Sequence, residues 1–217
     1  MTDRPLWQSG LTLALIAAIC TAMVALTWQL TSDRIEANKK AWLERSLQPA
    51  LAGVFFDSPV TESMLTIPPP HDLPGTDAAI IYRVYAQQEP VAALFVVSAR
   101  DGYAGPIRLL IGISMDGTVT GVRVLEHRET PGLGDRIETT KSDWVLQFDG
   151  QSIGDPALEH WKIKGDGGSF DQLTGASITP RAIVKAVKET LIYFAANRDA
   201  LFAAPADTGD DEGKQAE

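Results

Sequence analysis

The first strong hydrophobic feature of the chain is an uninterrupted apolar run near its amino terminus. Residues 5–32 contain no Asp, Glu, Lys or Arg, and residues 11–31 are mostly apolar. An α-helix needs about 20 apolar residues to cross a hydrocarbon layer about 30 Å thick. We therefore predict a transmembrane helix over residues 11–31, preceded by a short N-terminal segment, residues 1–10.

A cleaved signal peptide is the competing interpretation of this run, because Arg4 precedes it. The apolar region of a signal peptide has only about 7–15 residues and ends at a small-residue cleavage site. The run in this chain is longer and is followed by charged residues from Asp33 onward. These features favour an uncleaved anchor over the alternative of a secreted soluble protein.

The cations on either side of the predicted helix bear on its orientation. Arg4 precedes the helix, whereas Arg34, Lys39, Lys40 and Arg45 follow it. Because cytoplasmic flanks carry an excess of Lys and Arg, this count alone would place the following domain in the cytoplasm. Acidic residues are interleaved with the later cations, which weakens that indication.

Beyond the anchor, residues 32–75 are predicted to form a membrane-proximal helix and a connector. Four apolar positions recur at approximately helical spacing, and they are Ile35, Trp42, Leu43 and Leu47. This spacing predicts an amphipathic helix over residues 33–57, which Pro49 should end or kink. The proline-rich stretch that begins at Ile67 excludes a continuing helix.

A series of β-strands is predicted next, within a domain spanning residues 76–204. Four segments rich in β-branched and aromatic residues are Ala79–Ala86, 91–99, Ile107–Ser114 and 119–125. Consecutive strands joined by short turns favour an antiparallel sheet. A strong helical period follows over residues 180–197. The predicted fold class is α+β, a mainly antiparallel sheet with flanking helices.

Composition and charge exclude several classes of partner and of metal or nucleotide site. The net charge of −9 argues against a nucleic-acid partner, because phosphate contacts need clustered Lys and Arg. One cysteine and three histidines give no basis for a disulfide or for a zinc or iron–sulfur site. Neither a dinucleotide fingerprint nor a P-loop occurs, and no catalytic residue is assigned. Residues 205–217 are predicted to form a disordered acidic tail.

Two loops carry the remaining candidate chemistry. The first follows the last predicted strand and consists of Glu129, Thr130, Pro131, Gly132 and Leu133, continuing to Gly134. Its glycines and proline make a tight bend that another group could approach closely. A plain strand-exit turn is the alternative.

The second loop leads into the predicted C-terminal helix. Thr179 before Pro180 is typical of an N-cap followed by proline at the first helical position. Ala182 stands where a capping box would place Glu or Gln, so the positive end of the helix dipole is open to an anion such as phosphate. Thr174 and Ser177 could add hydroxyl donors. A capped helix without a ligand is the alternative.

These motifs together resemble a known family. Residues 174–179 read T-G-A-S-I-T, which fits the [ST]-G-A-[ST]-x-T signature of covalently flavinylated domains, and residues 129–134 read E-T-P-G-L-G. With the anchor and the strands, the chain resembles the G subunit of the Rnf/Rsx ion-translocating electron transport complex. That family is related to the C subunit of the sodium-pumping NADH:quinone reductase. The resemblance covers nearly the whole chain apart from the tail.

The resemblance implies one FMN per chain, joined by a phosphoester bond to Thr179. It also implies that two groups of residues lie near the flavin: Thr174, Gly175, Ala176, Ser177 and Ile178, and the loop Glu129, Thr130, Pro131, Gly132 and Leu133. A separate flavin transferase that uses FAD and magnesium would install the FMN. Outside these motifs, Arg128, Asp135, Trp144 and Phe148 either line the cofactor or fill the fold.

The implied function is that of a membrane-anchored flavoprotein subunit. It would relay electrons within an Rnf-type complex that couples ferredoxin–NAD electron transfer to ion translocation, and it would not be catalytic alone. Its implied partners are the membrane and the other membrane subunits. The implied location is the bacterial inner membrane, with one span and a periplasmic domain, against the charge count. Two alternatives are the analogous subunit of the quinone reductase and a non-redox, membrane-tethered assembly module.

Overall fold

The computed structural model describes residues 7, 10, 13–23, 25, 27, 28, 31 and 47–203. The chain divides into two compact units, Met1–Leu43 and Glu44–Glu217. In the first unit, residues 13–23 are helical. Across the described residues, no helix combines the length and the apolar character that a membrane crossing requires. The predicted segments 1–10 and 11–31 lie partly outside the described residues, and the predicted tail 205–217 lies wholly outside them.

The second unit is built on one five-stranded antiparallel sheet, in which each strand pairs with the next along the chain. The strands are β1 (Met64–Ile67), β2 (Ala79–Ala86), β3 (Glu89–Ala99), β4 (Ile107–Ser114) and β5 (Val119–Glu126). The central strand, β3, pairs with β4 so that Phe95 lies opposite Ile111. The four predicted strands and their antiparallel pairing are confirmed.

Two predictions about the segment before the sheet are wrong. The predicted connector contains β1, which pairs with β2 from Met64↔Tyr82 to Ile67↔Ala79; a short edge strand carries little sequence signal, and its conformation is fixed by pairing. The predicted helix does not extend to residue 57. Leu47 is helical, and a 3-10 turn that contains Pro49, Gln48–Leu51, follows it, so the predicted end or kink at Pro49 is confirmed. Gly53 comes next with a φ of 77°. Residues 33–46 lie outside the described residues.

One α-helix, Ile178–Ala203, packs against the sheet and is called the C-terminal helix below. Its buried side chains include Ile183, Val187, Leu191 and Phe194, and Phe194 meets Phe95 of β3 edge to face. These positions recur every three to four residues, so burial of one helical stripe explains the docking. The helix is longer at both ends than the predicted residues 180–197.

Short 3-10 turns lie before the sheet and between the sheet and the C-terminal helix. Within residues 47–203 the 3-10 segments are Gln48–Leu51, Val60–Glu62, Gly134–Ile137, Trp144–Phe148, Leu158–His160 and Lys164–Asp166. Phe148 lies at the centre of an aromatic cluster, with ring centroids 5.6 Å from Trp144, 6.4 Å from Trp161 and 4.9 Å from Phe170. These rings belong to the same hydrophobic core as the buried face of the C-terminal helix, and the turn Trp144–Phe148 packs against β5.

A pair of facing glycines lets the turn Gln48–Leu51 rest on the sheet. Gly112 of β4 pairs with Gly121 of β5. A Cβ on Gly112 would overlap the carbonyl oxygen of Ala50, and one on Gly121 would lie 3.0 Å from the Ala50 Cα. The Thr120 hydroxyl donates to the same carbonyl at 2.5 Å. Backbone therefore packs on backbone here, which side chains at these two positions would prevent.

Candidate functional site

The two loops singled out from the sequence meet at one cavity of about 450 Å³. Its wall includes Tyr103, Glu129, Thr130, Leu133, Gly134, residues 175–179 and Arg181. The β3–β4 loop, the loop after β5 and the start of the C-terminal helix all contribute. Small-molecule sites in proteins occupy about 300–1,000 Å³, so this cavity has the size of a cofactor site.

The helix start at this cavity differs from the prediction. The helix begins at Ile178, and the Arg181 N–H donates to the Ser177 carbonyl at 3.4 Å. Ser177 therefore occupies the N-cap position, and Thr179 lies inside the first turn, so the predicted N-cap at Thr179 is wrong. Pro180 becomes the third helical residue, which costs nothing because the first N–H groups of a helix have no intrahelical acceptor.

Thr179 is fully buried, and its hydroxyl already donates a hydrogen bond within the protein. Its Oγ1 donates to Oε2 of Glu129 at 2.6 Å, and Glu129 is itself only 4% exposed. The other Glu129 oxygen accepts from the Ala104 N–H at 3.2 Å. A carboxylate buried this deeply needs such donors, since an unpaired charge in the interior is costly. The Glu129 side chain thus joins all three elements of the cavity wall.

Gly134 explains how the Glu129–Thr179 contact fits. A Cβ on Gly134 would lie 2.7 Å from Oε2 of Glu129 and 3.1 Å from the hydroxyl oxygen of Thr179. The loop after β5 can therefore pass directly over the pair only with glycine at this position. Gly132 has a φ of 80° and turns the same loop. The predicted tight bend is confirmed, and the close approach occurs at Gly134, whereas no atom lies within 4 Å of a Cβ placed on Gly132.

Charged groups behind the loop hold it in place. The Glu129 N–H donates to Nδ1 of His127, and Nε2 of His127 lies 2.8 Å from Oε1 of Glu138. Because Nδ1 accepts a hydrogen bond, Nε2 carries the proton donated to Glu138. Lys141 bridges Glu138 and Asp135 at 2.6 and 2.9 Å. Hydrogen bonds from Lys141 lower the pKa of both carboxyl groups. A hydrogen bond from the Gly132 backbone lowers the pKa of Asp135 further. A hydrogen bond from His127 does the same at Glu138.

Ser177 presents a different environment from Thr179. Its side chain is exposed and lines the cavity. Thr174 is also exposed, but it does not line the cavity, and neither do Pro131 and Gly132. Within the predicted set, Ser177 and Thr130 therefore supply exposed hydroxyls at the cavity, and of these two Ser177 lies at the helix start.

The residues left undecided by the sequence are placed clearly. Trp144 and Phe148 belong to the aromatic cluster of the core, and Asp135 is paired with Lys141. Arg128 is exposed and does not line the cavity. For Trp144 and Phe148 the role of filling the fold is confirmed.

Sequence reasoning missed two residues of the cavity wall, Tyr103 and Arg181. Tyr103 stands in the sequence D-G-Y-A-G between β3 and β4, where glycines flank an exposed aromatic ring. Arg181 lies one helical turn after the N-cap residue Ser177, and both line the cavity. The glycines around Tyr103 could be recognised in the sequence, whereas the position of Arg181 follows only from the helix start.

The cavity suits a ligand with an anionic end and a flat apolar body. The exposed side chains of Tyr103, Leu133 and Ile178 supply apolar surface at its rim. Arg181 and the helix start supply positive charge and N–H groups. A phosphate attached to an aromatic ring system matches this combination.

Comparison with known proteins identifies the class of this domain. Residues 102–192 match the family described as FMN-binding domain, and these residues contain the whole cavity wall. FMN carries one phosphate and one flat ring system, so the geometry and the family agree. The domain is an FMN-binding domain. Residues 1–49 match a second family, described as the RnfG N-terminal region.

Full-length relatives define the family of the whole chain. It is 42% identical to the G subunit of the ion-translocating oxidoreductase complex of Pseudoalteromonas atlantica, over 91% of this chain and 92% of the relative. It is 44% identical to the protein of that name from Shewanella amazonensis, over 99% of both chains. The relative from Pseudomonas aeruginosa is 45% identical, over 93% of this chain and 94% of its own. The chain belongs to the family of G subunits of ion-translocating oxidoreductase complexes.

A solved structure shares the fold. The crystal structure of Shewanella oneidensis NqrC superposes with a TM-score of 0.51, covering 77% of this chain and 100% of that one. The identity is 17%, so the likeness shows the fold alone. The α+β architecture with an antiparallel sheet is confirmed.

Proposed function

We propose that this chain is the electron-transferring flavoprotein subunit of an Rnf-type complex, with one FMN attached covalently at the cavity. The observation that carries the proposal is an exposed hydroxyl, that of Ser177, on a cofactor-sized cavity at the start of a helix. The FMN-binding family match over residues 102–192 and the relatives named as G subunits support it.

We further propose Ser177 as the attachment residue, in place of Thr179. A bond to phosphorus at Thr179 would remove the proton that its hydroxyl donates to Glu129 and would force a phosphate into a fully buried position. The Ser177 hydroxyl is exposed to the cavity and makes no side-chain hydrogen bond within the described part of the chain. Attachment at Ser177 therefore leaves the Glu129–Thr179 contact intact.

The attachment step balances with FAD as the donor. The Ser177 oxygen bonds to the phosphorus of the flavin phosphate, the pyrophosphate bond of FAD breaks, and AMP leaves; the hydroxyl proton is lost to the medium. We propose that a separate flavin transferase with magnesium carries out this step. The resulting phosphodiester would lie at the N-terminus of the helix, where an anion gains roughly 0.3–1 kcal/mol.

The FMN, when bound, supplies reversible electron transfer, and the protein supplies attachment and orientation. The Ser177 bond fixes one end of the cofactor. Tyr103, Leu133 and Ile178 offer apolar surface that would exclude water from the ring system. A tethered cofactor cannot dissociate between electron transfers, which suits a relay that is not catalytic alone.

We also propose where the protein lies in the cell and which subunits it contacts. We place it in the bacterial inner membrane, with one span over residues 11–31 and the FMN domain in the periplasm. The charge-free run of residues 5–32 supports the anchor. Its partners would be the other membrane subunits of a complex that couples ferredoxin–NAD electron transfer to ion translocation. The match to the RnfG N-terminal region favours this complex over the quinone reductase.

Coexpression of the full chain with a flavin transferase tests the attachment. Denaturing electrophoresis of the membrane fraction should show a fluorescent band for wild type, for Thr179→Val and for the control Thr174→Ala. Ser177→Ala should give no band at equal protein loading. A fluorescent Ser177→Ala band would refute Ser177 as the attachment residue, and a dark wild-type band would refute covalent attachment altogether.

A further inference from the structure

Arg181 is the cationic side chain of the cavity wall. Within the part of the chain that the structure describes, no other Lys, Arg or His lines the cavity, whereas the buried carboxylate of Glu129 does. A phosphodiester carries one negative charge, so attachment would add a second anion to this wall. Like charges close together in a partly desolvated site repel, so a cation is needed there.

The position of Arg181 suits that task. Its N–H donates to the carbonyl of Ser177, the N-cap residue, at 3.4 Å, so the two residues lie one helical turn apart, and both line the cavity. A guanidinium presents paired N–H groups that match two phosphate oxygens. The Arg181 side chain is half exposed, so it can turn toward the cavity without leaving a buried position.

Arg181 is held by a competing anion in the structure. Its Nε donates to Oδ2 of Asp166 at 2.6 Å and one terminal nitrogen donates to Oδ1 at 2.8 Å. Asp166 ends the 3-10 turn Lys164–Asp166, and the two side chains share the wall of a neighbouring cavity with Lys188. The same two-pronged geometry that binds a carboxylate would bind a phosphate.

We propose that Arg181 is the positioning residue for the FMN phosphate, and that Asp166 competes with that phosphate for the guanidinium. This inference rests on the proposed attachment of FMN at Ser177. It predicts that removing Arg181 and removing Asp166 have different effects once FMN is attached, although the two residues form one ion pair. Before attachment, loss of either partner should have the same effect, and after attachment the two losses should differ.

The test compares the full-length proteins Arg181→Gln, Asp166→Asn and wild type, with and without FMN. In the FMN-free proteins, both variants should lower the melting temperature equally, since both lose the same exposed ion pair. On attachment, the rise in melting temperature should fall to less than half of the wild-type rise in Arg181→Gln, and should equal or exceed it in Asp166→Asn. Arg181→Lys should restore part of the rise.

The rate of attachment gives a second readout. With purified transferase, FAD and magnesium, Arg181→Gln should load FMN about tenfold more slowly, which is the loss of one charge-assisted contact. Lys188→Gln is the matched control: it removes a cation from the same helix outside the FMN cavity, and it should behave as wild type. Equal responses of Arg181→Gln and Asp166→Asn in both assays would overturn the inference. An unloaded wild type would instead overturn the proposed function.

Discussion

The buried contact between Thr179 and Glu129 gives the sharpest prediction about the domain itself. Thr179→Val keeps the shape of the side chain and removes the hydroxyl that donates to Oε2 of Glu129 at 2.6 Å. Among the residues that the structure describes, the carboxylate, 4% exposed, would retain only the Ala104 N–H as a donor. A hydrogen bond to a charged group contributes about 1.5–3 kcal/mol. We expect the free energy of unfolding to fall by that amount.

The assay is thermal unfolding of the FMN-free full chain. For a domain of about 150–250 residues, 1 kcal/mol corresponds to roughly 2–4 °C, so Thr179→Val should melt about 3–12 °C lower. Thr190→Val is the matched control, because Thr190 is equally buried on the same helix and its hydroxyl donates to the Ala186 carbonyl. That carbonyl keeps its helical N–H partner, so the control should cost less than about 1 kcal/mol.

A double-mutant cycle measures how much the charge of Glu129 strengthens the hydrogen bond from Thr179. In a Glu129→Gln background, Thr179 would donate to a neutral amide oxygen, so the cost of Thr179→Val should fall to about 1 kcal/mol. The reasoning is refuted if Thr179→Val melts no lower than Thr190→Val, or if its cost is the same with Glu129 and with Gln at that position.

Three further predictions concern the scaffold around the site. Gly112→Ala should lower the free energy of unfolding by at least about 1–3 kcal/mol, because its Cβ would meet the Ala50 carbonyl. Phe148→Ala should cost about 3–5 kcal/mol by opening a cavity among the aromatic rings. Lys141→Gln should lower the melting temperature at about pH 7 and have a smaller effect at about pH 3. The reason is that a carboxyl whose pKa is lowered on folding, as at Asp135, stabilises the fold above its unfolded pKa and loses this contribution progressively as the pH falls through its folded pKa.

Controls for these variants are available in the same unit. Gly154→Ala adds a methyl group where no atom lies within 4 Å, so it should not change the melting temperature. Phe148→Leu keeps apolar volume and should cost less than Phe148→Ala. A destabilised Gly154→Ala, equal losses in the two Phe148 variants, or a Lys141→Gln effect of the same size at both pH values would contradict the respective explanation.

Much of the fold could be predicted from local patterns. Strands such as Ala79–Ala86 and Ile107–Ser114 contain β-branched residues between turn residues, and the period of the C-terminal helix is strong. β1 could not be predicted in this way. It has four residues before a proline, and its conformation depends on pairing with β2, which lies more than ten residues further along the chain.

The site was predictable as a pair of loops but not in its details. The resemblance to the flavoprotein family implied that both loops lie near one ligand, and the structure brings them to one cavity. Local sequence patterns favoured Thr179 as the N-cap, because a threonine before a proline is typical of that position. The helix instead begins at Ile178, because the buried Thr179 donates a hydrogen bond to Glu129, which lies 50 residues earlier in the sequence. Tertiary hydrogen bonds of this kind have no local signature.

The most direct test of the account is to locate the flavin on the natively made protein. Fragment mass mapping of wild type purified from membranes would show which residue of the loop 174–179 carries the FMN phosphate. The account predicts modification at Ser177, with Thr174 and Thr179 unmodified. A flavin on Thr179, or a loop that carries none, would contradict it.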